Sequence, residues 1–158
     1  MITRELQILW WDWLSSAERL LRSLAEQTTA LTRRDPQRLE ELQPEVERLM
    51  TILHQLDESA VAATKKLAGE LGVEPRFRSI VAALKPAEAN QVQILATRVR
   101  AVSQNVSATL AKNKALIDSE VAYVNGTLAI VADVLQQSDA PSYAGRTTRD
   151  PALVNQVA

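Results

Sequence analysis

LEELQPEVERLMTILHQLDESAVAATKKL, residues 39–67, carries the pattern that decides the fold. Within it Leu39, Leu42, Val46, Leu49, Leu53, Leu56, Ala60, Ala63 and Leu67 follow one another at alternating spacings of three and four. That is the rhythm of one face of an α-helix packed along a partner helix in coiled-coil fashion. A helix with so long a seam cannot bury it alone. The chain must fold back on itself, bind a partner, or do both. No reactive side chain interrupts the seam, which turns the reading away from enzymes.

The same rhythm extends on both sides. Upstream, Leu6, Leu9, Trp13, Ala17, Leu20, Leu24, Thr28 and Leu31 share a face of a first helix expected over Thr3–Arg33. Glu18 and Arg22, one turn apart, are expected to pair on its outer side. Asp35-Pro36 reads as a cap followed by proline at the first helical position. The short turn makes the second helix antiparallel to the first. Pro44 falls on the outward side of the second helix and should bend it, unless the helix starts there. Gly72 ends it, with Pro75 just beyond.

Phe77, Ile80, Val81 and Leu84 mark a short amphipathic helix between Pro75 and Pro86. A last long helix then carries Val92, Leu95, Val99, Val102 and Val106. Its rhythm continues through Leu110 and Asn113 to Ile117, Val121, Val124, Leu128, Val131 and Leu135. Asn125-Gly126 marks a hinge, a close helix contact or an early end. From Ser138 the pattern is lost, and residues 138–158 read as a flexible tail. The expected fold is therefore all-α: long antiparallel helices in a coiled-coil-like bundle over residues 1–137, a short helix before the last long one, and the tail.

Composition narrows the function. Aromatic residues are only 4%, and the chain has 4 glycines and 6 prolines, too few breaks for a many-stranded sheet. The net charge of -1 gives no overall drive toward nucleic acid or anionic lipid. Acidic residues crowd the second helix (Glu40, Glu41, Glu45, Glu47, Asp57, Glu58), and basic ones the later part (Arg76, Arg78, Lys85, Arg98, Arg100, Lys112, Lys114). These faces are expected to complement each other across the bundle; the sharper alternative is a basic strip for an acidic partner. With no cysteine there is no disulfide, thiolate chemistry or cysteine-bound zinc. Arg4, Glu5 and Asp12 break any signal-peptide core, and no run approaches the roughly 20 apolar residues of a membrane span. A soluble, cytoplasmic protein without membrane insertion is expected.

No catalytic or metal-binding set is expected, and no cofactor. His54, the only histidine, has no second histidine or cysteine to join it. Glu41, Glu45, Glu47 and Glu58 lack the loop geometry of a cation site and read as a solvated face. Trp10, Trp11 and Trp13 cannot all enter one narrow seam. Trp10 and Trp13 are assigned to the core face, and Trp11 to its edge as a secondary partner anchor. The strongest binding candidate is NKALIDSEVAYVNGTLAIVADVL, residues 113–135. Leu116, Ile117, Val121, Val124, Leu128, Val131 and Leu135 can line one face, and Ala122, Tyr123, Ala129, Ile130 and Val134 widen it. So wide an apolar surface fits a docking site for a partner helix, a bundle interior, or self-association as a homodimer.

Several of these stretches together resemble the FlgN family of flagellar export chaperones. LLRSLAEQTTAL leads into a capped turn at RRDPQRLEEL, and a leucine-spaced second helix ends at KLAGELG. The last helix contains NKALI, similar to the family's Asn-x-x-Leu-Ile element, with Lys114 where the family often has Gly. A polar Tyr-Gly tail, SYAGR, follows. The resemblance implies a cytoplasmic chaperone that keeps hook-associated (hook–filament junction) subunits unpolymerised for type III export. It implies binding through the carboxyl-terminal amphipathic helix, here Asn113, Leu116, Ile117, Val121, Val124, Leu128, Val131 and Leu135. Export-gate or ATPase-complex proteins are further partners, and nucleic acid is not. The competing reading is a structural coiled-coil oligomer or a soluble component of the export ATPase complex.

Overall fold

The computed structural model describes residues 1–139, with side chains to Gln137. Four helices follow in order: α1 (Arg4–Thr32), α2 (Pro36–Leu71), α3 (Phe77–Ala83) and α4 (Pro86–Asp139). There is no strand among the described residues. The chain divides into two units, Met1–Asn113 and a second beginning at Lys114, so the break falls inside α4. The expected tail, residues 138–158, lies outside the described residues from residue 140 onward.

In the first unit α1, α2 and the start of α4 run up, down and up. Ion pairs set the directions. Glu5 meets Lys66 (2.7 Å), Arg19 meets Glu45 (3.1 Å) and Glu26 meets Arg38, so rising numbers in α1 face falling numbers in α2. Arg98 reaches Glu18 (3.2 Å) and Asn113 reaches α1 near Leu24, so α4 rises with α1. Hydrogen bonding by Arg48 holds the Glu45 carboxyl below its ordinary range, and Glu5 raises the Lys66 ammonium. These groups are solvated, so the pairs report alignment rather than supply much stability.

The seam does the holding. Leu42, Val46, Leu49, Leu53, Ala63 and Leu67 of α2 are buried, while Leu39, Leu56 and Ala60 are partly so. They pack in two clusters. One joins Trp13, Leu14, Ala17, Leu20 and Leu24 to Val46, Leu49, Leu53, Leu95 and Val106. The other joins Leu6 to Ala63, Leu67, Ala68, Ile80, Leu84 and Val92. At about 1.5–3 kcal/mol per fully buried large aliphatic side chain, such clusters dominate the stability of the unit.

The connections follow the turn chemistry in the sequence. Asp35 accepts a hydrogen bond from the Arg38 N–H (3.1 Å), and Pro36 is the first residue of α2. Arg34 takes the left-handed position before it (φ 53°), and the Asp35 N–H donates to the Ala30 carbonyl (2.9 Å), which closes α1 without a glycine. Gly72 supplies the same conformation at the end of α2 (φ 67°), where the Val73 N–H reaches the Ala68 carbonyl (3.0 Å). Pro44 lies inside α2, so the alternative start there is not taken.

Two pairings differ from expectation. Glu18 is engaged by Arg98 of α4 rather than Arg22. Among the described residues no ion pair joins the acidic side chains of α2 to the basic ones of α4. Glu41 pairs with Arg38, Glu45 with Arg19 and Arg48, and Glu58 with His54, all from α1 or α2 itself. Local partners three or four residues away are always within reach on a helix, and they take the charges first.

Candidate functional site

The second unit begins with the stretch of α4 after Asn113. Ile117, Val121, Val124, Leu128, Val131 and Leu135 recur at spacings of four and three and form one stripe. They are between 41% and 57% exposed. Leu116, Tyr123, Ile130 and Val134 lie one position earlier in the same rhythm and broaden the stripe; Ile130 is 66% exposed. Ser119, Gly126 and Asp133 lie opposite the stripe, Asn125 and Gln136 flank it, and Glu120 and Thr127 interrupt the apolar surface between the stripe and the residues that widen it. The result is an amphipathic helix with a wide apolar face open to solvent. Single exposed aliphatic residues need no explanation, but nine large ones on 19 consecutive positions do.

The helix runs unbroken through Gly126 to Asp139, which excludes an early end. No atom lies within 4 Å of where a Cβ on Gly126 would stand, which excludes a close helix contact there.

Asn113 does not join this face. It is 2% exposed and belongs to the first unit. Its Nδ2 donates to the Leu24 carbonyl (3.0 Å) and to Gln27 Oε1 (2.9 Å), and its Oδ1 accepts from the Thr28 hydroxyl (2.6 Å). Asn113, expected on the partner-binding face, is instead buried, and every polar atom of its side chain is committed to α1. Sequence reasoning missed this network, although a signal existed. Asn113 and Thr28 each occupy an apolar register of their helix, and facing polar residues in two seams are a pairing signature.

The tryptophans divide as their spacing requires. Trp13 is buried and Trp10 partly buried, tilted against Phe77 with ring centroids 6.4 Å apart. Trp11 is 51% exposed, with the Arg98 guanidinium 5.3 Å from its ring centroid. That stacking occupies one face of the ring, and Glu18 holds the same arginine. A groove beside Trp11 is lined by Gln7, Gln91, Ile94 and Leu95.

His54 is exposed on α2, 3.4 Å from Glu58 one turn away. No group of three or more metal-ligating side chains converges among the described residues.

One expectation about membranes changes. α4 contains an 18-residue window of mean hydropathy 1.3, none of it buried, so by length and composition it is long and apolar enough to cross a membrane. The interspersed polar residues hid this from a search for an unbroken apolar run. Against insertion stand Asp118, Glu120 and Asp133 on the same stretch. An ionised carboxylate near the bilayer centre costs about 3 kcal/mol.

The family model described as FlgN protein covers residues 1–146. No curated protein matches the chain. No solved structure matches it.

Proposed function

The chain belongs to the FlgN family, a chaperone family associated with flagellar export, and on that premise we propose that it holds hook-associated subunits through the apolar face of α4. The subunits' assembly segments are kept unpolymerised in the cytoplasm and released for type III export, with the export gate or its ATPase complex as the receiving partner. Neither membrane insertion nor catalysis is part of this reading. The observation that carries it is the exposure of Ile117, Val121, Val124, Leu128, Val131 and Leu135 along one stripe.

An amphipathic client helix laid on this stripe removes apolar area from water on both sides, the helix-in-groove mode of recognition. Covering half-exposed aliphatic side chains is worth roughly 1 kcal/mol each. Six of them, matched by a similar gain on the client, oppose an association cost of about 4–15 kcal/mol. The balance favours a reversible complex, which suits a carrier that must let go.

The test is the triple replacement Val124→Glu, Leu128→Glu and Val131→Glu. Affinity for a purified junction subunit should fall more than 100-fold while circular dichroism keeps nearly all its helicity. Undiminished binding would remove the face from the mechanism, and loss of the whole fold would make the stripe part of a core. The competing use of the stripe is a homodimer. Light scattering over a concentration series separates the two, because a stable dimer that binds no junction subunit supports only the oligomer.

A further inference from the structure

We propose that the outer face shared by α1 and the first part of α4 is a second docking surface, and that it takes an acidic amphipathic helix of a partner protein. The face lies within the first unit and shares no residue with the stripe. It joins an apolar anchor point at one end to two unpaired cations at the other.

Two rows of exposed side chains form the face. Helical residues eleven apart return to nearly the same side after three turns, and residues eighteen apart after five. Trp11 and Arg22 therefore share a row of α1, and Ile94 and Lys112 share a row of α4. Arg98 ties the rows together, since it stacks on Trp11 and pairs with Glu18. Asn113 meets the Leu24 carbonyl, which brings Lys112 nearly level with Arg22. Between the two ends Ser15 and Ala101 are small and exposed.

The anchor is pre-set. Trp11 is 51% exposed and Ile94 63%, beside a groove of about 350 Å³ that Gln7, Gln91 and Leu95 also line. The Arg98 guanidinium holds the Trp11 ring in place, so little side-chain freedom remains to be lost when a partner covers it. A tryptophan of this kind is the side chain in which binding hot spots are most enriched.

Charge selects the occupant. Arg22 and Lys112 are exposed, and neither enters an ion pair among the described residues. The nearby acids are committed elsewhere, Glu18 to Arg98 and Glu26 to Arg38. A second copy using the same face would bring only Glu18 as an acid, so self-association leaves both cations unmatched. An acidic segment matches them. Trp11 and Arg22 lie about 16 Å apart along the axis at 1.5 Å per residue. A helix laid along the face must therefore carry a large apolar residue over Trp11 and Ile94, and carboxylates about eleven positions away over Arg22 and Lys112. The apolar end supplies most of the hold, while the charges fix which way the helix lies and speed its approach.

The test titrates the full chain with a fluorescein-labelled synthetic helix that bears a leucine pair at one end and two glutamates about eleven positions on. A second peptide has lysines in place of the glutamates. By anisotropy the acidic peptide should bind about tenfold tighter than the lysine peptide, and about fivefold weaker when salt rises from about 50 to 300 mM. Arg22→Glu with Lys112→Glu should abolish the preference for the acidic peptide. Trp11→Ser with Ile94→Ser should weaken both peptides about tenfold. The comparison of the two peptides on the unaltered chain stands whether or not a variant folds. Val124→Glu with Leu128→Glu and Val131→Glu should leave peptide binding unchanged whatever it does to a junction subunit, which keeps this surface and the client reading separable. Equal binding of the two peptides by the unaltered chain would overturn the proposal. Loss of peptide binding in the stripe variant would place the peptide on the stripe and overturn it too. Phosphatidylglycerol vesicles that bind more tightly than the acidic peptide, and release on Arg22→Glu with Lys112→Glu, would give the cations to a membrane surface instead.

Discussion

Residues 86–113 and 114–137 belong to one helix, yet they use the same apolar rhythm in opposite ways. In the first stretch Val92, Leu95 and Val106 are buried against α1, α2 and α3. In the second, Val121, Val124, Leu128 and Val131 stand about half exposed. The spacing of aliphatic residues is equally regular in both. Periodicity therefore states that a seam exists and which side of the helix bears it, but not whether the chain covers it. What distinguishes the stretches is the supply of complementary seams. Helices α1 and α2 contribute matched faces to the first, whereas the second is wide, acidic at intervals and long enough to receive a helix from elsewhere.

The sharpest way to break that comparison is to delete the same amount of side chain from each unit. Leu49 is fully buried in the first cluster. Leu49→Ala should cost about 3 kcal/mol, seen as a lower urea midpoint with an unchanged slope. Leu128→Ala, at a half-exposed position, should cost well under 1 kcal/mol and still weaken client binding. Similar losses at both sites would mean that the two seams are covered alike, and the distinction between the units would fall.

The boundary itself offers a second, smaller test. Asn113 is the last residue of the first unit, and its amide meets the Leu24 carbonyl, Gln27 Oε1 and the Thr28 hydroxyl. Asn113→Leu keeps the bulk but takes the Asn113 donor from the buried Gln27 Oε1, while the Thr28 hydroxyl keeps the Leu24 carbonyl, so about 1–3 kcal/mol should be lost in denaturant unfolding. Client affinity should change less than twofold, because this side chain points into the bundle. A tenfold loss of affinity without destabilisation would return Asn113 to the binding face.

How much of this was legible in the sequence depended on range. Asp35-Pro36, Gly72 and Pro86 punctuate the helices through the backbone chemistry of single residues, and each element follows them closely. The buried seam of α2 was equally plain, since Leu42 through Leu67 obey one local rule. Pairing across helices was not. Glu18 takes Arg98, 80 positions away, over Arg22 one turn off, and Asn113 serves α1 rather than a partner. Such choices depend on which helix faces which, and no local spacing records that. Exposure of the stripe from Ile117 to Leu135 was legible from its width rather than from its rhythm, because an uncovered seam and a covered one are spaced alike.

The smallest expected effect lies at Gly126, and it sharpens the comparison from inside the second unit. Glycine within a helix costs about 1 kcal/mol relative to alanine, and here no neighbour crowds the missing Cβ. Gly126→Ala should therefore steady the helix locally. Because that stretch contributes little to the buried clusters, the gain should appear as roughly fivefold slower amide exchange around residues 120–132 and not as a shift of the global urea midpoint. The effect on client affinity decides what the glycine is for. If a straight, rigid stripe is what the client reads, binding should hold or tighten slightly, since less ordering entropy is lost on contact. If the client instead needs the helix to bend at Asn125-Gly126, slower exchange and weaker binding should appear together. That pairing would make the exposed half of α4 a jointed surface, unlike the straight seam it continues.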